Sequence, residues 1–316
     1  MQAKNAFGLV KYSPNDVFSD PVVSKTIHKL LGIWFKLLEI EGKDAEELRK
    51  HTIESCERST KHSEDLEKEL IDHYERLKVI DTMNKKLAGR AGQIFSYAKQ
   101  YLPPPSPAFT ILDIGAGTGT IAKKFYDEGY NIRMHDVVGD GEEKRVPEVV
   151  DLENAARPLP YDLHGNHEPL RYADNSFDAS LLSCVLHHCD TPFKVLQEAV
   201  RVTKPGGRIY ILESVYGVSR EQITDAAYAR NQEMHDLFFN LNAEQQKKYG
   251  TFLDWFLNKV SFRNNAFVPC NFNSPENWDK IFAEHGLNIV AKNIVGIDQP
   301  VTPEFHLFYV VEKKKN

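Results

Sequence analysis

The sequence predicts an α/β fold: a doubly wound, mostly parallel sheet with an antiparallel last strand, a helical N-terminal region and a helical insert. Three observations predict it. Apolar strand-like runs alternate with helical periodicity beyond Ala108. A glycine-rich turn joins the first of those runs to a helix. The proline-dense "LPPPSP", Leu102–Pro107, separates this series from an opening that reads as helical throughout.

Taken in order, "VVSKTIHKLLGIWFKLLEI" places Ile27, Leu30, Leu31, Trp34, Leu37 and Leu38 on one helical face. "SEDLEKELIDHYERLKVI" does the same with Leu66, Leu70, Tyr74 and Leu77, and Ser63 is its expected N-cap. Residues 1–102 are therefore expected to form a helical region, a lid over a pocket or a dimer interface. Residues 103–316 are expected to form the main domain. There "FTILDI", "NIRMHDV", "FDASLLSCVL" and "GRIYILESV" read as strands, with helices over 120–128 and "PFKVLQEAVRVT". Residues 219–262 interrupt the rhythm with a helical insert rich in aromatics, among them Phe238, Phe239, Phe252, Trp255 and Phe256. "SPENWDKIFAEHG" is a helix with Ser274 as cap, Pro275 at its first position and Gly286 at its end. "LNIVAKNIVGI" and "EFHLFYVVEK" close the chain as strands.

Composition narrows the function. A net charge of −6 argues against non-specific nucleic-acid binding, which needs a positive footprint. Four cysteines, Cys56, Cys184, Cys189 and Cys270, are too sparse for a disulfide framework in 316 residues and fit a reducing cytoplasm. The N-terminal stretch lacks an apolar leader core, and no apolar run is long enough for a transmembrane segment.

The chemistry concentrates in "ILDIGAGTGT". Gly115, Gly117 and Gly119 allow a sharp turn and close approach of backbone to a ligand. A dinucleotide fingerprint wants its third glycine at 120, where Thr120 stands. Asp113, just before the turn, favours a ligand with a cationic group over a pyrophosphate. Asp136, at the expected end of the second strand, can accept both hydroxyls of a ribose. A ribose with a positively charged tail describes S-adenosylmethionine (SAM).

"ILDIGAGTG", "PLRYADNSFDASLLSCVLHHCD" and "RVTKPGGRIYILE", in that order, resemble the motifs of class I SAM-dependent methyltransferases, the broad group that includes the ubiquinone/menaquinone-biosynthesis enzymes. The resemblance spans roughly residues 86–215 and implies a Rossmann-like fold. It implies that Asp113, Gly115, Ala116, Gly117 and Gly119 cradle the methionine end. Asp136, with Val137 beside it, would hold the ribose. Asp162 or Asn166 would read the adenine, Ser183 would lie beside the sulfonium, and Arg90 would pair with the cofactor carboxylate.

"SCVLHHCD" offers five metal-ligand side chains, but strand alternation would split them between two faces, and no metal is expected. His188 is instead expected at the mouth of the site as a general base. The loop "DQPVTPEF" between the last two strands would bring Asp298, Gln299, Glu304 and His306 toward the acceptor, Glu304 and His306 as a carboxylate–base pair. The Asn/Asp-Pro-Pro-aromatic motif of enzymes acting on polymer amino groups is absent, and "HHCD" stands in its place. A small-molecule acceptor is expected rather than nucleic acid. The alternatives are a SAM-binding scaffold without transferase activity and a nicotinamide-dependent oxidoreductase.

Overall fold

The computed structural model describes residues 7–8, 10–61, 63–75, 82, 89–138, 161–165, 168–261 and 268–315. The chain divides into two compact units. The first comprises Met1–Ala88, Ser214–Pro275 and Ile294–Leu307; the second comprises Gly89–Glu213, Glu276–Asn293 and Phe308–Asn316. The helix Arg90–Lys99, which precedes the prolines, groups with the second unit.

One sheet of seven strands has the order β3-β2-β1-β4-β5-β7-β6. Its strands are β1 (Thr110–Ile114), β2 (Asn131–Val138), β3 (Tyr161–Gly165), β4 (Phe177–Ser183), β5 (Thr203–Ser214), β6 (Leu287–Gly296) and β7 (His306–Lys313). The pairs β1–β2, β1–β4, β2–β3 and β4–β5 are parallel, and the last strands are antiparallel. The doubly wound, Rossmann-like architecture expected from the sequence is present. β3 is an addition: no strand was expected near residue 161. β1 and β4 are buried along nearly their whole length, as strands covered on both faces must be. Phe95 and Phe125 pack edge to face at 5.0 Å, joining the helices Arg90–Lys99 and Thr120–Asp127 on one layer.

β4 begins in a fixed register because Asp178 reaches back to β1. Its Oδ2 accepts from the Thr110 backbone N–H and hydroxyl, both at 2.9 Å, while Lys204 Nζ donates to Oδ1 at 2.6 Å. The sequence order turns at β1: the chain moves outward through β2 and β3, then returns to β4 on the other side. That reversal opens a crevice at the carboxyl ends of β1 and β4, the usual ligand position in open α/β sheets.

The first unit is held by aromatic packing. Ile27, Leu30, Leu31 and Trp34 are buried as the stripe required, together with Phe35, whereas Leu37 is half-buried. Leu77 lies outside the described residues. Phe18 meets Phe252 edge-on at 5.2 Å, and Trp34 and Tyr74 both contact Phe256. The Trp34 indole donates to the Val301 carbonyl at 2.9 Å, so this large side chain is buried with its polar atom satisfied. Phe238, Phe252, Trp255 and Phe256 of the insert are thus core residues of this unit, whereas Phe239 is half-buried. His235 tethers the segment after Gly296: its Nδ1 donates to the Tyr228 carbonyl at 3.0 Å and its Nε2 accepts from the Ile297 N–H at 2.8 Å. Burial pushes its pKa down, which suits this neutral tautomer.

Candidate active site

The turn after β1 is built by backbone geometry. The N–H groups of Gly115 and Ala116 both donate to the His135 carbonyl, at 2.8 and 3.0 Å. Gly115 has φ +73°, and a Cβ there would lie 2.6 Å from Val185 Cγ2. Both strain and space therefore demand glycine. Gly115→Ala is expected to destabilise the fold by about 2–4 kcal/mol, from the left-handed backbone plus overpacking. Chemical denaturation measures this; an unchanged midpoint would contradict the close approach of Val185.

Gly117 N–H donates to Asp136 Oδ2 at 2.6 Å, fastening the turn to β2. β2 continues two residues beyond Asp136, to Val138, so Asp136 does not end its strand as expected. Gly119 caps the helix Thr120–Asp127, whose N-terminus closes the turn.

Asp113 is the electrostatic centre. It is 1% exposed at the carboxyl end of β1, and its Oδ2 has no hydrogen-bond partner among the described residues. Burial first, and the nearby Asp136 carboxylate second, push its pKa up to about 8. Two carboxylates at one turn, one without a partner, make a position that gains energy from a cation.

Ser183 is the last residue of β4, paired with Leu212. The strand stops there, earlier than expected, because Cys184 adopts φ +56°. Leu186–His188 form a 3-10 turn. The expected alternation of faces through "SCVLHH" therefore does not hold; these side chains leave a turn, not a strand. Arg90, first residue of its helix, donates to Cys184 Sγ at 3.2 Å, so it does reach this edge. His188 is half-buried, with its ring 4.2 Å from that of His187.

One residue was missed by sequence reasoning. Glu213, 1% exposed near the end of β5, organises the whole turn. Its Oε1 accepts from the N–H groups of Val185 and Leu186 at 3.1 and 2.8 Å. Its Oε2 accepts from the His187 N–H at 3.3 Å and faces His187 Nδ1 at 2.6 Å. The only sequence signal was an acid at the end of an otherwise apolar strand, "IYILES".

Val137 and Asp162 lie in β2 and β3, where Val137 pairs with His164 and Asp162 with His135. Asn166 lies outside the described residues. The second unit thus brings Arg90, Asp113, Gly115, Ala116, Gly117, Gly119, Asp136, Ser183 and His188 to the carboxyl ends of β1, β2 and β4. Glu304 and His306 belong to the first unit. There His306 is fully buried, with Nδ1 3.1 Å from Asp298 Oδ1 and Nε2 3.7 Å from Glu304 Oε2. Asp298 is the residue in hydrogen-bond range of the ring; Glu304 stands at ion-pair distance on the other side.

Comparison with known proteins agrees with this geometry. Residues 112–211 match one family model of a methyltransferase domain, and residues 163–286 match another. The chain is 37% identical over 107 residues to a demethylmenaquinone methyltransferase of Paenarthrobacter aurescens, covering 33% of this chain and 38% of that protein. It is 34% identical over 138 residues to the demethylmenaquinone methyltransferase of Clavibacter sepedonicus, covering 42% and 52%. It is 30% identical over 136 residues to the ubiquinone/menaquinone biosynthesis C-methyltransferase UbiE of a Ruegeria species, covering 42% and 53%. The matches thus span between about two fifths and one half of these relatives. The chain resembles the class I SAM-dependent methyltransferases. More particularly, it is similar to those of the ubiquinone/menaquinone type, and the likeness supports SAM as cofactor. Asp113 Oδ2, buried and without a hydrogen-bond partner among the described residues, has the chemistry to take the ammonium of SAM, and Asp136 has the chemistry to take ribose hydroxyls. Among the described residues, no helix is long and apolar enough to cross a membrane.

Proposed function

We propose that this protein transfers a methyl group from SAM to a small-molecule acceptor. The observation that carries the reading is the pair Asp113 and Asp136 at the glycine turn: a buried carboxylate whose Oδ2 has no partner among the described residues, beside one already fastened to backbone. When bound, SAM supplies an activated methyl group. Asp113 holds its ammonium, Arg90 its carboxylate and Asp136 its ribose hydroxyls. Asp162 or Asn166 reads the adenine, and Ser183 borders the sulfonium. The turn Cys184–His188, fixed by Glu213, shapes the wall beside the reacting centre. Catalysis is then mainly positioning. Where the acceptor begins protonated, His188 takes the proton. Glu304 and His306 act as a second proton relay, with Asp298 orienting the ring.

A scaffold that binds SAM without turnover shares the same pocket and differs only in chemistry. Calorimetric titration with S-adenosylhomocysteine and with NAD separates both from an oxidoreductase. Micromolar binding of S-adenosylhomocysteine is expected, weakened at least about tenfold, or about 1.4 kcal/mol, by Asp136→Ala. Tighter binding of NAD would refute the reading.

A further inference from the structure

Adjacent lysines in the helix Ala243–Trp255 have opposite surroundings. Lys248 Nζ lies 3.5 Å from Asp20 and 3.7 Å from Glu244, so it is ordinarily paired. Lys247 is 6% exposed, and among the described residues its ammonium has no hydrogen bond and no carboxylate within ion-pair distance. It sits instead over two aromatic faces, 5.7 Å from the Tyr12 ring centroid and 5.6 Å from that of Tyr216. Cation–π contacts at these distances offset part of the cost of burial but leave the charge without a counter-ion among the described residues. Burial pushes the ammonium down to about 8, so it is still charged at neutral pH. The titratable groups acting on this position are Cys270 and Glu244, the Tyr12 and Tyr216 phenols, and Lys248 across the Tyr12 ring; Lys11 and Asp254 act on Cys270.

A buried cation between two flat rings matches a flat organic anion. The carboxylate supplies the missing counter-charge, and the ring can stack where the phenols stand. We propose that Lys247, with Tyr12 and Tyr216, recognises a small aromatic carboxylate or phenolate within the first unit. This recognition does not rest on the methyl-transfer reading.

The test uses the full chain saturated with S-adenosylhomocysteine, with benzoate and its neutral counterpart benzamide as probes. The Lys247 side-chain Cε resonance, assigned by its loss in Lys247→Met, reports the ammonium titration. Benzoate is expected to raise that titration midpoint by about one pH unit and to bind about tenfold more tightly than benzamide. Lys247→Met is expected to keep its S-adenosylhomocysteine affinity, to be at least as stable as the wild type, and to lose the preference for benzoate. An unmoved titration with equal binding of the two probes overturns the inference. Marked destabilisation of Lys247→Met without any benzoate preference in the wild type shows a purely structural cation and also overturns it. Failure of S-adenosylhomocysteine to bind wild-type protein is a separate result, against the cofactor site alone.

Discussion

Asp113→Asn is expected to abolish most cofactor affinity while making the unliganded fold more stable at alkaline pH. Folded Asp113 holds its proton up to a pKa of about 8, whereas the unfolded chain releases it near the ordinary 3.8. A group whose pKa is raised by folding contributes stability that is complete below the unfolded value and is lost as pH rises through the folded one. The loss between those limits is on the order of 5 kcal/mol as an upper bound, since each pH unit is worth about 1.4 kcal/mol. Wild-type stability should therefore fall from pH 5 to pH 8 by an amount that Asp113→Asn removes. Denaturant titrations of both proteins across that range measure it. Equal slopes would mean that the carboxylate is not protonated in the fold. Cofactor binding should move the other way. An ammonium ligand requires the ionised carboxylate, so affinity should rise about tenfold per pH unit below the folded pKa. The asparagine variant should lose about a hundredfold at pH 8 and show no such slope. A side chain that weakens the resting fold and strengthens binding is the familiar trade between stability and function.

Glu213→Ala is expected to have the largest effect on stability. The substitution strips the acceptor from three backbone N–H groups and from His187 Nδ1 in a fully enclosed place. Orphaning buried donors costs about 1–3 kcal/mol each when no relaxation occurs. A loss of about 4 kcal/mol corresponds to a Tm drop of roughly 10 °C in a chain of this size. Glu213→Gln keeps one acceptor oxygen for Val185 and Leu186 but turns an amide donor toward His187, so it should fall between wild type and alanine. Thermal unfolding of the three proteins sets the order. An alanine variant as stable as wild type would show that the turn does not depend on this carboxylate.

Much of this was legible in the sequence, for physical reasons that differ from element to element. β1, β4 and the helix Thr120–Asp127 announce themselves because strands buried on both faces are predominantly apolar and the turn from β1 into the helix is glycine-rich. β3 did not. "YDLHG" is five residues long, polar at alternate positions and preceded by a long segment without hydrophobic periodicity. The end of β4 was misplaced because "SLLSCVL" keeps its apolar character past Ser183. The break comes from Cys184 in the left-handed region, a conformation rarely adopted by residues with a side chain. Glu213 was invisible for a related reason. An acid at a strand end reads as solvated until a distant turn folds over it, and that turn is what the acid itself holds. Asp113 was legible as a candidate cofactor residue from its place before the glycines. That its Oδ2 finds no partner among the described residues depends on three-dimensional neighbours and was not legible.

The most direct test of the account is calorimetric titration of wild-type protein with S-adenosylhomocysteine at pH 6.5, run in two buffers of different ionisation enthalpy. One site of micromolar affinity is expected, with the release of close to one proton, from Asp113, on binding. Binding without proton release would contradict the role given to Asp113, and absence of binding by well-folded protein would contradict the cofactor site itself.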